Sequence, residues 1–236
     1  MMPNTYFRFK QFTIYQDRSV MKVCTDSCIL GAWTALRLKG AARILDIGTG
    51  TGLLSIMLAQ KSEARIDAIE SDPESASQAE ENIIKSPWAD RIVLIKGDVL
   101  NYSFQSKYNF IIVNPPFFES GLRSPEIKKN IAKHDESLTL EKLISVFRPN
   151  IHAEGCFSIL LPFHRTAYFE NLASQNGFFL QEILTVKQTP KHSPFRSVCL
   201  FAGNKPVELI SNDLMIKNTE GKNSVDFSEL MKDYYG

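Results

Sequence analysis

Cysteine is scarce in this chain and has no ligand pattern. Cys24, Cys28, Cys156 and Cys199 never form a C-x-x-C pair. Cys24 and Cys28 have no second ligand pair downstream, so no zinc site or other metal centre is expected. No window approaches the ~18 apolar residues of a membrane span. The opening stretch, MMPNTYFRFKQF, lacks the apolar region of a signal peptide. Charge of one sign is missing too. The chain has 27 Lys and Arg against 26 Asp and Glu, a net +1. That excludes coating nucleic acid through bulk charge and leaves a local basic face open. The expectation is a reduced cytoplasmic protein with no membrane contact and no obligate protein partner.

The composition itself is ordinary for a globular protein. Of 236 residues, 44% are hydrophobic and 22% charged, enough for a sizeable core. Strand-like and helix-like runs alternate through the middle of the chain. Residues 43–47, 65–69, 92–95, 110–113 and 155–161 read as strands. Residues 53–59, 74–85, 138–147 and 164–175 read as helices. Strands separated by helices imply a doubly wound α/β sheet, mostly parallel. The last two strands, 178–186 and 195–202, are too close for a crossover helix, so they should be antiparallel neighbours. The division expected is a single domain: an N-terminal extension over 1–40, a catalytic core over 41–203 and a C-terminal tail over 204–236.

The first strand runs into Asp46-Ile47-Gly48-Thr49-Gly50-Thr51-Gly52, and a helix follows. Glycines there permit a tight turn and close approach of a ligand to the backbone, at the sheet edge where doubly wound folds bind ligands. A dinucleotide fingerprint would need Gly or Ala at Leu53, and a phosphate loop would need Gly-Lys-Ser/Thr. Neither is present. The D-x-G-x-G-x-G pattern resembles the first motif of class I S-adenosylmethionine-dependent methyltransferases, which implies a Rossmann-like class I sheet and S-adenosyl-L-methionine as cofactor. Glu70 ends the second strand, where an acid can accept both ribose hydroxyls. Asp98 follows the third strand, and the resemblance places it at the adenine amine. Asp46, Gly48, Gly50, Gly52, Glu70 and Asp98 are the expected cofactor residues, with Asn114 beside them.

The fourth strand ends in Asn114-Pro115-Pro116-Phe117. The prolines cannot donate backbone hydrogen bonds and stiffen the segment. The Asn114 side-chain carbonyl and the Pro115 carbonyl make two acceptors for one planar NH₂ group, and Phe117 offers a face for a flat ring. Gripping both N–H bonds favours a pyramidal nitrogen whose lone pair points at a methyl donor. Positioning then supplies the larger share of catalysis. Asn114, Pro115 and Phe117 are therefore the catalytic candidates. The motif resembles that of amino-methyltransferases acting on adenine N6, cytosine N4, guanine N2 or glutamine N5. Cytosine C5 chemistry is not expected, because no Pro-Cys nucleophile occurs.

The head of the chain narrows the resemblance. Phe12-Thr13-Ile14, Lys22-Val23-Cys24-Thr25-Asp26 and Leu30-Gly31-Ala32-Trp33 together resemble the bacterial valine-tRNA adenine-N6 methyltransferases, with Cys24 where their pattern has Gly. This implies tRNA as partner, N6-methylation of the adenosine 3′ of the anticodon, and Thr25 and Asp26 near the methionine end of the cofactor. Asp26 also suits a helix N-cap, alone or together with that role. Three groups of cations fit contact with RNA phosphates: Arg8 and Lys10; Arg123, Lys128, Lys129, Lys133 and His134; Lys191 and Arg196. Protein glutamine-N5 and ribosomal guanine-N2 methylation are the alternative activities. A non-catalytic RNA-binding module of the same fold is the alternative outside enzymology.

Overall fold

The computed structural model describes residues 4–19, 21–38, 40–115 and 138–236. Strands β1 (Tyr6–Arg8) and β2 (Thr13–Tyr15) form an antiparallel hairpin. The remaining strands make one eight-stranded sheet: β3 (Arg43–Ile47), β4 (Arg65–Glu70), β5 (Ile92–Lys96), β6 (Tyr108–Val113), β7 (Ile151–Pro162), β8 (Phe179–Lys187), β9 (Arg196–Ala202) and β10 (Ile210–Met215). Their order is β10-β8-β9-β7-β6-β3-β4-β5. Only β9 runs against the others among the described strands, pairing antiparallel with β7 and β8. The expected mostly parallel sheet with a late antiparallel strand is what the chain forms.

The centre of this sheet is apolar because both faces are covered. Ile44 and Ile56 join one core, with α1 (Thr25–Ala35), α2 (Leu53–Ala59), α3 (Pro73–Ile84) and α6 (Val225–Met231). Leu45, Ile47 and Phe157 join the other, with α4 (Leu140–Asn150) and α5 (Thr166–Gln175). Phe157 and Phe201, on neighbouring strands, stack at 5.1 Å. Each such fully buried side chain contributes ~2 kcal/mol. Helix α1 is buried continuously from Ser27 to Ala35. Gly31 permits this, since a Cβ there would stand 2.7 Å from Met57 Sδ on α2.

Several helices begin where their sequences say they should. Asp72 caps α3, its Oδ2 accepting from the Ser75 amide at 2.8 Å, with Pro73 at the first helical position. Thr139 caps α4 through the Lys142 amide. The tail packs onto the rest of the chain. β10 extends the sheet in parallel with β8, and Lys187 pairs with Asp213 at 2.6 Å. Phe227, Met231 and Tyr234 are buried against the rest of the chain, and the Tyr234 hydroxyl donates to the Met57 carbonyl at 3.0 Å. β10 escapes a periodicity reading because it is an edge strand with exposed residues over 210–213.

Candidate active site

Chain order reverses between β3 and β6: β4 and β5 lie to one side, β6 and β7 to the other. The carboxyl ends of β3 and β6 therefore flank the crevice in which doubly wound sheets bind ligands. The glycine turn leaves β3 there. Gly48, Gly50 and Gly52 adopt φ of +67°, +57° and +81°, the left-handed region that side chains disfavour. A Cβ on Gly48 would meet nothing within 4 Å, so the turn shows bare backbone to open space.

Asp46 is fully buried beneath this turn. Its Oδ2 accepts from Thr49 Oγ1 at 2.6 Å, Ser55 Oγ at 2.7 Å and the Ser55 amide at 3.1 Å. Its Oδ1 is buried with no partner. Burial pushes the Asp46 pKa up to about 6 against the pull of those hydrogen bonds, and the nearby Glu70 charge adds to the rise. Glu70 stands at the end of β4, held from two sides. Oε2 accepts from the Gly50 amide at 2.9 Å and Oε1 from the Asp72 amide at 2.9 Å. Each oxygen keeps acceptor capacity for a hydroxyl. Asp98 is exposed beyond β5, in a local turn in which Oδ1 accepts from the Leu100 amide and Oδ2 from Asn101 Nδ2. An orphaned buried oxygen, open backbone and a fixed acid at the next strand end suit a ligand with an amino-acid group and a ribose, as S-adenosylmethionine has.

Asn114 is half-buried and Pro115 buried at the end of β6. Phe117 lies outside the described residues, as do Arg123, Lys128, Lys129, Lys133 and His134. Thr25 and Asp26 open α1, whose N-cap is Cys24, so Asp26 is not the cap that its residue type suggested. Ser27 folds back onto the Cys24 carbonyl at 2.8 Å instead. Asp26 Oδ2 accepts from Arg196 Nε at 2.9 Å, an ion pair joining the start of α1 to the start of β9. Arg196 stands opposite Pro162, the last residue of β7, so this pair lies at the same sheet edge as Asn114.

The other cations divide. Lys10 Nζ donates to the Lys232 carbonyl at 2.5 Å, binding the head to the tail. Arg8 is exposed on β1, and Lys191 is exposed in the turn between β8 and β9. The cysteines stay thiols: burial pushes Cys24 up to about 11 and Cys28, Cys156 and Cys199 up to about 12. No group of three potential metal ligands occurs among the described residues.

One contributor carries no sequence signal. Asn82, buried on α3, donates to the Thr51 carbonyl at 2.8 Å and to the Tyr15 carbonyl at 2.8 Å, and accepts from the Tyr15 amide at 2.9 Å. It fastens the glycine turn to the N-terminal hairpin. In the sequence it is one polar residue among many on a polar helix.

Comparison with known proteins bears on the family and the fold. Residues 32–151 match the family model described as methyltransferase small domain. A Dyadobacter fermentans protein named tRNA1(Val) (adenine(37)-N6)-methyltransferase is 43% identical over all of this chain and 99% of its own length. A protein of the same name from Bacteroides thetaiotaomicron is 39% identical over 99% of this chain and 98% of its own. Among solved structures, an Agrobacterium tumefaciens protein described as a predicted O-methyltransferase superposes with a TM-score of 0.66 at 18% identity, over 88% of this chain and 96% of that one. That last likeness shows the fold.

Proposed function

Because the chain belongs to the tRNA1(Val) (adenine(37)-N6)-methyltransferase family, we propose that it methylates N6 of the adenosine immediately 3′ of the anticodon in valine tRNA. The reading takes residues 1–236 as one catalytic unit working in the cytoplasm, with tRNA as its partner. The observation that carries it is the placement of Asn114-Pro115 at the end of β6, beside the β3 glycine turn.

S-adenosylmethionine, when bound, supplies an electrophilic methyl group on a sulfonium. Backbone of the Gly48–Gly52 turn receives the amino-acid portion, with Thr25 and Asp26 at its methionine end. Glu70 accepts the ribose hydroxyls, and Asp98 faces the adenine amine. Asn114 and Pro115 then solve the chemical problem of the target. An adenine amine is a weak nucleophile because its lone pair is delocalised into the ring. Two carbonyl acceptors on its two N–H bonds bias the nitrogen toward a pyramidal shape and fix its direction. No strong base is needed before attack, since the proton leaves afterwards, and in-line positioning does most of the work. The role left to Phe117, which lies outside the described residues, is stacking on the extruded base.

Methyl transfer to total tRNA from a strain lacking the gene, with fragment mapping by mass spectrometry, tests the reading. N6-methyladenosine in the anticodon loop of valine tRNA supports it. Label in another nucleoside, or none in tRNA, overturns it.

A further inference from the structure

An exposed aromatic and cationic surface stands beside the Asn114 corner, and nothing in the mechanism above uses it. β7 is parallel to β6, with Ile159 level with Val113. It continues three residues further, to Pro162, about 10 Å at 3.3 Å per residue. Phe163 therefore emerges above the level of Asn114, one strand away. It is 39% exposed, and Tyr168 in the first turn of α5 is 46% exposed. The Arg165 guanidinium lies over the Tyr168 ring at 4.6 Å from its centroid. The Tyr168 hydroxyl donates to Glu141, which occupies the neighbouring carboxylate and fixes the ring.

The turn between β8 and β9 completes the surface. The Phe163 amide donates to the Phe195 carbonyl at 3.1 Å, tying the end of β7 to the end of that turn. Lys191 and His192 are exposed on it, and the His192 ring is held by Thr189 Oγ1 at 2.7 Å. A single exposed phenylalanine needs no explanation. Two exposed aromatics, one carrying a stacked guanidinium, with Lys191 and the His192 ring on the neighbouring turn and one strand away from the Asn114 corner, have the composition of a single-stranded RNA surface. Unstacked loop bases are gripped by aromatic faces and arginine planes, and the phosphates between them by cations.

We propose that this surface holds the anticodon loop, with Phe163 stacking on a nucleobase adjacent to the target adenosine and Arg165, Lys191 and His192 meeting the flanking phosphates. The proposal rests on the tRNA reading and names the face of the protein that recognises the loop.

The probe is an unmodified valine anticodon stem-loop, titrated against the full-length protein and used as methyl acceptor. Phe163→Ala should weaken RNA binding ~10-fold, the scale of one lost base stack, while Phe163→Trp keeps it. Arg165→Ala should weaken binding and lower the slope of log affinity against log salt by about one. Each substitution should raise KM for RNA and leave S-adenosylmethionine affinity within twofold. Stem-loops abasic on either side of the target adenosine identify the stacked base. One of them should lose ~10-fold with the native protein and nothing further with Phe163→Ala. Native affinity in both alanine variants, or abasic losses that add fully to Phe163→Ala, overturns the proposal. A native protein that methylates no tRNA sinks the substrate reading instead, so the two failures are distinguishable.

Discussion

Asn82 and Thr51 are joined by a buried hydrogen bond of 2.8 Å, and the same Asn82 amide holds Tyr15 through two more. The glycine turn thus depends on a helix and on the N-terminal hairpin at once. Asn82→Ala leaves the buried Thr51 carbonyl and the half-buried Tyr15 amide and carbonyl without this partner, at about 1–3 kcal/mol for a group that water does not reach. Urea unfolding should show a loss of about 2–3 kcal/mol, with a raised KM for S-adenosylmethionine. Asn82→Asp should not rescue it, because a carboxylate cannot donate. Unchanged stability in Asn82→Ala would contradict this role.

The Asp26–Arg196 pair is largely shielded, with side chains 16% and 24% exposed. It couples the start of α1 to the β8–β9 turn. Asp26→Asn and Arg196→Ala should each weaken S-adenosylmethionine binding several-fold, and the double variant should lose less than the sum. A coupling of about 1 kcal/mol is expected for such a pair. Additive losses would show that the two residues act separately.

Asp46 carries a pH signature. Its folded pKa lies near 6, above its ordinary value of 3.8. Between those values the folded carboxyl keeps a proton that the unfolded chain has released, so stability falls as pH rises from 4 to 6 and stays lower above. The loss attributable to this group is about 3 kcal/mol at most. Asn in its place can keep an oxygen toward Ser55 and Thr49 but cannot titrate. The unfolding free energy of the native protein minus that of Asp46→Asn, measured by urea without cofactor, should therefore decline from pH 4 to 6.5. A constant difference would contradict the assignment.

What the sequence disclosed follows from how the chain buries its groups. β3, β4 and β6 are covered on both faces, so each reads as an apolar run. Their ends carry Asp46, Glu70 and Asn114, which makes the site visible as acids and amides at strand ends. The Asp72-Pro73 start of α3 was legible because a cap is a local event. Asn82 was not, since its partners Tyr15 and Thr51 are distant in sequence and no pattern announces a buried amide. β10 was hidden because an edge strand need not be apolar. The N-cap of α1 falls to Cys24 because the helix begins at Thr25, which puts Asp26 inside the first turn, where its Oδ2 pairs with Arg196, a partner 170 residues away. Arg196 and Lys10 read as free cations for the same reason: the sequence shows charge without showing what lies opposite.

The central claim is that Asn114 aims an amine at the methyl donor. Single-turnover transfer by Asn114→Ala to valine tRNA lacking the modification, alongside a titration with S-adenosylmethionine, tests it most directly. The account predicts a rate loss of roughly 100-fold or more, the scale of a lost positioning group, with cofactor affinity held within a few-fold. A variant that transfers methyl at a near-native rate would contradict it.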